Sequence, residues 1–284
     1  MSLGIRSFAA LEWPLDDTPR DTRAALREAG LKAPRRSSRF SQLALLGASA
    51  LAVRPEPDCG VYLGTALGSS ADTVTMLEAV QRGEAPMPFP FINVSGSLAG
   101  FGIAQSLGLL GPNLTISRRD FPVEVALETA LKDHGRPPQA LVGAVEEGVW
   151  PLAAQRRRLR VPPEAALGEC SHWFLLDDTL TEGPRLEWVA YFAHPEKARA
   201  ALAGLRMAGA VRLVLASEAA RDAAAGWREA VPGAVEWALP ARPHCPTAVA
   251  GNLTDYLADE AAEPWLVQVN QAAGGGVYLT VLSA

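Results

Sequence analysis

The sequence predicts a mixed α/β protein in which helices pack against sheets. Three observations carry this. Short, almost uninterrupted apolar runs of the kind that form fully buried strands recur along the chain, as at residues 60–68 and 140–145. Apolar helical patterns alternate with them. The resulting β-α-β-α-β order occurs twice, once on each side of about residue 165, with no short-period repeat and no flexible linker between the halves. We therefore expect one domain over residues 1–284, with an N-terminal half of about 1–165 and a C-terminal half of about 166–284.

Residues 1–58 read as a strand or arm, a polar loop with Pro and Arg, and a helix near 40–53. The run 60–68 is a buried strand ending in glycines. A helix over about 71–82 follows, with Ser69, Ser70 and Asp72 as candidate caps. Residues 84–91 carry Pro86, Pro88 and Pro90 and predict an extended loop. Residues 95–107 are rich in Gly and Ala and apolar on nearly every face, which predicts an interior helix. A strand at 114–117, a helix at about 122–133 and an apolar strand at 140–145 come next. The basic, proline-bearing piece 148–164 reads as a surface excursion. In the second half, strands are expected at 171–177, 186–192, 211–215, 235–239, 265–270 and 276–282. Helices are expected at 195–207, 218–230 and 248–260.

Composition narrows the function. The hydrophobic fraction of 49% and charged fraction of 20% are ordinary for a globular protein. No apolar run approaches the roughly 20 residues of a bilayer span, and the N-terminus has no basic region followed by an apolar core, so neither membrane insertion nor secretion is expected. Asn93, Asn113 and Asn252 are then not read as glycosylation sites, despite their tripeptides. The net charge of −5 gives no general attraction to nucleic acid. Two basic clusters, at residues 35–39 and 156–160, read either as solvated loops or as docking surfaces for an acidic partner.

Cys59, Cys170 and Cys245 are odd in number and widely spaced, so they form neither a disulfide framework nor a zinc site. They read as small buried apolar residues in a reducing cytoplasm. His134 follows a helix, where a cation complements the helix dipole. His172 and His194 have no partner visible in the sequence. The triple glycine 274–276 precedes no helical pattern, so it is not a nucleotide loop.

The strand 114–117 runs through Arg118-Arg119-Asp120-Phe121 into a helix. With residues 60–68, 90–117, 141–147, 167–176 and 270–276, this gives five ordered stretches, each at a strand end. Together they resemble the β-ketoacyl synthases of the thiolase superfamily. The resemblance implies a five-layered αβαβα fold built from two β-α-β-α-β halves. In that family a cysteine at a helix head is activated by the helix dipole and assisted by two histidines. Setting residues 117–120 on the family's nucleophile step places Asp120 where the cysteine belongs. The first histidine motif is replaced by Ala216-Ser217-Glu218, and the second is matched by His244, the one candidate base. Ala272-Ala273 stands in place of an aromatic gate.

The resemblance thus implies a non-catalytic subunit of the chain-length-factor type, particularly the short forms of aryl polyene-type pathways. It would pair with an active β-ketoacyl synthase, with an acyl carrier protein as further partner. Leu114, Thr115, Ile116 and Ser117 would form the interface strand, and Phe89, Phe91 and Phe101 are candidates for tunnel or interface surface. Asp120 could also be a plain helix cap. Two further alternatives stay open: a stand-alone decarboxylase or acyltransferase using His244, and a homodimeric acyl-binding protein. No cofactor or metal is expected.

Overall fold

The computed structural model describes residues 2–32, 34–85 and 87–284. The chain opens with strand β1 (Leu3–Pro14), then helices α1 (Thr22–Glu28) and α2 (Arg39–Ser49). Ser38 caps α2 by accepting the Ser41 amide at 3.0 Å. Strand β2 (Gly60–Thr65) is followed by α3 (Ser70–Gln81), α4 (Pro88–Asn93) and α5 (Ser97–Leu107). Strand β3 (Asn113–Ser117) leads into α6 (Pro122–Lys132), then β4 (Gln139–Glu146), α7 (Leu152–Leu159) and β5 (Gly168–Asp177). The second half holds β6 (Arg185–Phe192), α8 (Pro195–Ala203), β7 (Val211–Leu215), α9 (Glu218–Asp222), α10 (Ala224–Ala230), β8 (Val235–Glu236), α11 (Val249–Ala258), β9 (Trp265–Gln271) and β10 (Val277–Ser283).

The strands hydrogen-bond in the order β3-β2-β4-β5-β1-β6-β10-β9-β7-β8. This is one pattern used twice. In each set of five, two strands at the centre of the molecule run antiparallel to their neighbours and three outer ones run parallel. The two sets join at Leu3↔Leu186 and Gly4↔Arg185. Because β5 pairs on both sides with β1 and β4, it belongs to the first set. The repeat therefore turns between β5 and β6, not near residue 165 as the sequence reading sets it.

Alternation along the strands explains the layers. Tyr62, Val142, Phe174, Val214, Leu266 and Tyr278 face a core built on α6 and α11. Their sequence neighbours Val61, Leu63, Leu141, Trp173 and Leu175 face α2 and α5, while Leu213, Leu215, Val267 and Leu279 face α8 and α10. Strands with helices on both faces must be apolar on both, which is why they read as continuous runs. The layers are thus α2/α5, sheet, α6/α11, sheet, α8/α10.

Four local expectations change. Pro86 lies outside the described residues, and from Pro88 the expected extended loop is helix α4, with Pro88 at the first helical position, where its missing N–H costs nothing. Helix α5 is not interior: it buries Ala99, Gly100 and Ile103 and leaves Phe101 60% exposed. Residues 152–159 of the expected surface excursion form helix α7. The helix expected over 218–230 breaks at Ala223.

Candidate functional site

The site begins where β3 enters α6. The Arg118 amide donates to the Thr65 carbonyl at 2.9 Å, extending the β2–β3 pairing by one bond. The chain then turns through Arg119 and Asp120 into Phe121, which caps α6 with φ 63° and ψ 37°. A left-handed phenylalanine stores on the order of 1–3 kcal/mol of strain. Helix α6 can approach β2 this closely because Gly64 has no side chain: a Cβ there would lie 2.2 Å from the Pro122 carbonyl oxygen.

The helix head is therefore Phe121, and Asp120 stands one residue before it. Asp120 is exposed and does not cap the helix by its side chain. The Phe121 ring is buried, 5.2 Å from the Tyr278 ring centroid and 6.3 Å from that of Tyr191. No thiol stands at this head. Cys59 is buried against α2 and α5, where desolvation pushes its pKa up to about 12. Cys170 lies on β5 and Cys245 follows His244.

Four segments separated in sequence meet around an open cleft of ≈ 910 Å³. They are Arg119 to Phe121, Ala216 to Glu218 after β7, Pro243 to Pro246 before α11, and Asn270 to Ala272 at the end of β9; residues 159–162 and 236–240 also line it. The structure thus gathers Asp120 and His244 into one cavity. His244 is exposed in its wall, and its backbone is pinned by the Ala166 carbonyl at 2.7 Å and the Gly168 amide at 3.0 Å. Partial desolvation lowers its pKa, which favours the neutral imidazole. Ser217, where the first histidine motif would fall, caps α9 and also accepts the Gln271 amide at 2.9 Å.

Beneath the helix head lies a group the sequence reading missed. Glu124 is fully buried and accepts from Asn270 Nδ2 at 2.7 Å, while its Oε2 has no partner among the described residues. Burial raises its pKa, favouring the protonated acid. A glutamate in a first helical turn reads as a surface residue, and nothing near it in sequence announces Asn270. His172 also gains a partner: its Nε2 is 3.2 Å from Glu12 Oε1.

The remaining predicted residues lie away from the cleft. Strand β3 pairs along one edge with β2 and ends the strand order, with no strand paired to its other edge among the described residues. Leu114 is 41% exposed, Thr115 and Ile116 are half-buried, and Ser117 is exposed. Phe89, Phe91 and Phe101 are exposed on α4 and α5 and do not line the cavity. Helix α5 packs onto β3, and Thr115 Oγ1 donates to the Gly96 carbonyl at 3.4 Å. Among the described residues no group of three His, Cys, Asp or Glu side chains is placed to hold a metal, and no helix is long and apolar enough to cross a membrane.

No family model and no curated protein matches the sequence. Solved structures match over the whole chain. The ishigamide ketosynthase/chain length factor matches with TM-score 0.74 at 19% identity, covering 100% of this chain and 99% of that one. The chain thus has the fold of these structures, which is thiolase-like. A ketosynthase bound to a hexaketide, in complex with its type II polyketide acyl carrier protein, matches with TM-score 0.71 at 13% identity over 100% and 99% of the two chains. A ketosynthase in complex with its chain length factor from Xenorhabdus doucetiae matches with TM-score 0.55 at 12% identity, covering both chains fully.

Proposed function

We propose that this chain is a non-catalytic, chain-length-factor-type subunit that pairs with an active β-ketoacyl synthase in type II fatty acid or polyketide biosynthesis of the aryl polyene type, with an acyl carrier protein as further partner. One observation supports the reading: at the turn into α6, where the resemblance sets Asp120 on the nucleophile step, there is no cysteine, and the helix head itself is Phe121, packed into an aromatic cluster. The turn offers a carboxylate and an aromatic ring but no thiol. The edge of β3 to which no described strand pairs, and the exposed aromatics of α4 and α5, support pairing with a partner strand in a continuous sheet. Asp120, at the cleft mouth, takes no chemical part in this reading.

The test is co-expression with a synthase that has its cysteine and both histidines. The expected result is a stable one-to-one complex from a chain that is poorly soluble alone. A lone chain that is monodisperse and never joins such a synthase would defeat the proposal. A second reading is favoured by the open cleft and by His244 in its wall, whose pKa desolvation lowers: a stand-alone decarboxylase or acyltransferase. Turnover of malonyl-carrier protein by the purified chain, abolished in His244→Ala, is its signature.

A further inference from the structure

We propose that Cys170 and Cys245 form a reversible disulfide that fastens the His244 loop to strand β5. The two residues are 75 positions apart, yet their sulfurs lie 2.6 Å from one another, and both side chains are buried. Bonded sulfurs sit about 2.05 Å apart, so only a small approach separates the thiol pair from the disulfide. The backbone already holds the residues in place. Leu167 and His244 form a parallel bridge, the His244 amide donates to Ala166 at 2.7 Å, and the Gly168 amide donates to His244 at 3.0 Å. These bonds hold the segments that carry the two thiols side by side. Thr247 Oγ1, 3.0 Å from the Cys170 sulfur, fixes that thiol on the side facing its partner.

Access gives the two thiols different roles. Cys245 borders the large cleft and Cys170 does not, while a second cavity of ≈ 100 Å³ touches both. Cys245 is thus the sulfur a small disulfide reaches. Its thiolate attacks one sulfur of a low-molecular-weight disulfide, whose S–S bond breaks to release one thiolate and leave a mixed disulfide on Cys245. Burial holds the Cys170 thiol protonated, so its proton passes to the departing thiolate as its sulfur attacks the Cys245 sulfur and expels the second small thiol. Two protein thiols and one small disulfide become one protein disulfide and two small thiols, and the protons lost by the cysteines appear on the released thiols. Thiol reductant reverses the sequence. The consequence is mechanical: in the oxidised chain the wall bearing His244 is fastened covalently to the sheet. This inference holds whether or not the chain pairs with a synthase.

The full chain, purified in reductant, is incubated with oxidised glutathione, then denatured and alkylated with N-ethylmaleimide. The expected product has lost two hydrogen atoms and carries one maleimide, on Cys59, and proteolysis yields one peptide joining Cys170 to Cys245. Its Tm is higher than that of the reduced chain by roughly 5 °C or more and returns on reduction. Cys59→Ser keeps the linkage, while Cys170→Ala and Cys245→Ala each lose it. The wild-type peptide map decides the matter even if a variant does not fold. Maleimide on all 3 cysteines, glutathione retained on Cys245, or a bond that involves Cys59 or a second chain overturns the proposal.

Discussion

Phe121 carries two opposed contributions that mutation can separate. Its ring is buried against Tyr278 and Tyr191, and its backbone is left-handed. Removing the ring in Phe121→Ala should cost about 3–4 kcal/mol in a urea melt. Phe121→Gly loses the same ring but relieves the backbone, and should be about 1 kcal/mol more stable than the alanine variant. The reverse order would mean that the turn is not strained. Phe121→Cys puts a thiol at the helix head without a histidine at the first motif, where Ser217 stands and accepts from the Gln271 amide. We expect no acyl transfer from that variant when it is assayed alone.

At the end of β4, two adjacent buried carboxyls titrate in the physiological range. Glu146 accepts the Ala66 and Leu67 amides, and Glu147 accepts Ala71, serving the head of α3 where Ser69 makes no capping bond. Desolvation dominates both and raises their pKa values to about 7 and about 8. The unfolded chain ionises near the ordinary value of 4.5. Between 4.5 and about 8 the folded state therefore holds protons that the unfolded state has released. Stability falls as pH rises through this window and is level above it, by an amount on the order of a few kcal/mol. Melts from pH 5 to pH 9 should show the slope, and Glu147→Gln should flatten its upper part. A wild-type slope of opposite sign would show that these groups are ionised in the fold.

Among elements, legibility followed the reach of each interaction. Buried strands announced themselves because both faces are apolar, as in β2 and β4. The resemblance named four segments, at Asp120, Ser217, His244 and Asn270, and the structure brings them to one cleft. What stayed hidden depends on contacts distant in sequence: the Glu124–Asn270 bond, the Cys170–Cys245 pair and the Glu12–His172 contact. Helix α5 misled for a different reason. An apolar helix reads as interior whether its outer face meets the core or awaits another chain, and here Phe101 points outward. That gives an element-scale prediction. Leu114→Arg on β3, combined with Phe101→Glu on α5, should abolish complex formation with the synthase by gel filtration, while the lone chain stays folded and becomes more soluble. Retained pairing would place the interface elsewhere.

Across the whole molecule, duplication explains how the site is assembled. The turn before α6 in the first half and the His244 loop before α11 in the second are counterparts, each leading from an outer parallel strand into a helix of the central layer. Both therefore open on one cleft, whose rim carries the basic helix α7 through Leu159 and Arg160. The structure separates the two basic clusters seen in the sequence. Arg39 is committed to Glu169 in a two-point ion pair at 2.5 and 2.9 Å, and Arg36 stacks on Phe89 at 3.8 Å. Arg157, Arg158 and Arg160 are exposed, and Arg160 lines the cleft. If an acidic carrier protein approaches this subunit, α7 is the surface that attracts it. Arg157→Glu with Arg158→Glu should then weaken carrier association with the synthase complex by roughly tenfold at low salt, chiefly through the on-rate. The difference from wild type should shrink at high salt, where screening acts within a few ångströms. Titrating labelled carrier protein at two ionic strengths measures both effects. A loss that is independent of salt would mean that α7 contributes packing and not attraction, and no loss would leave the arginines as a solvated face.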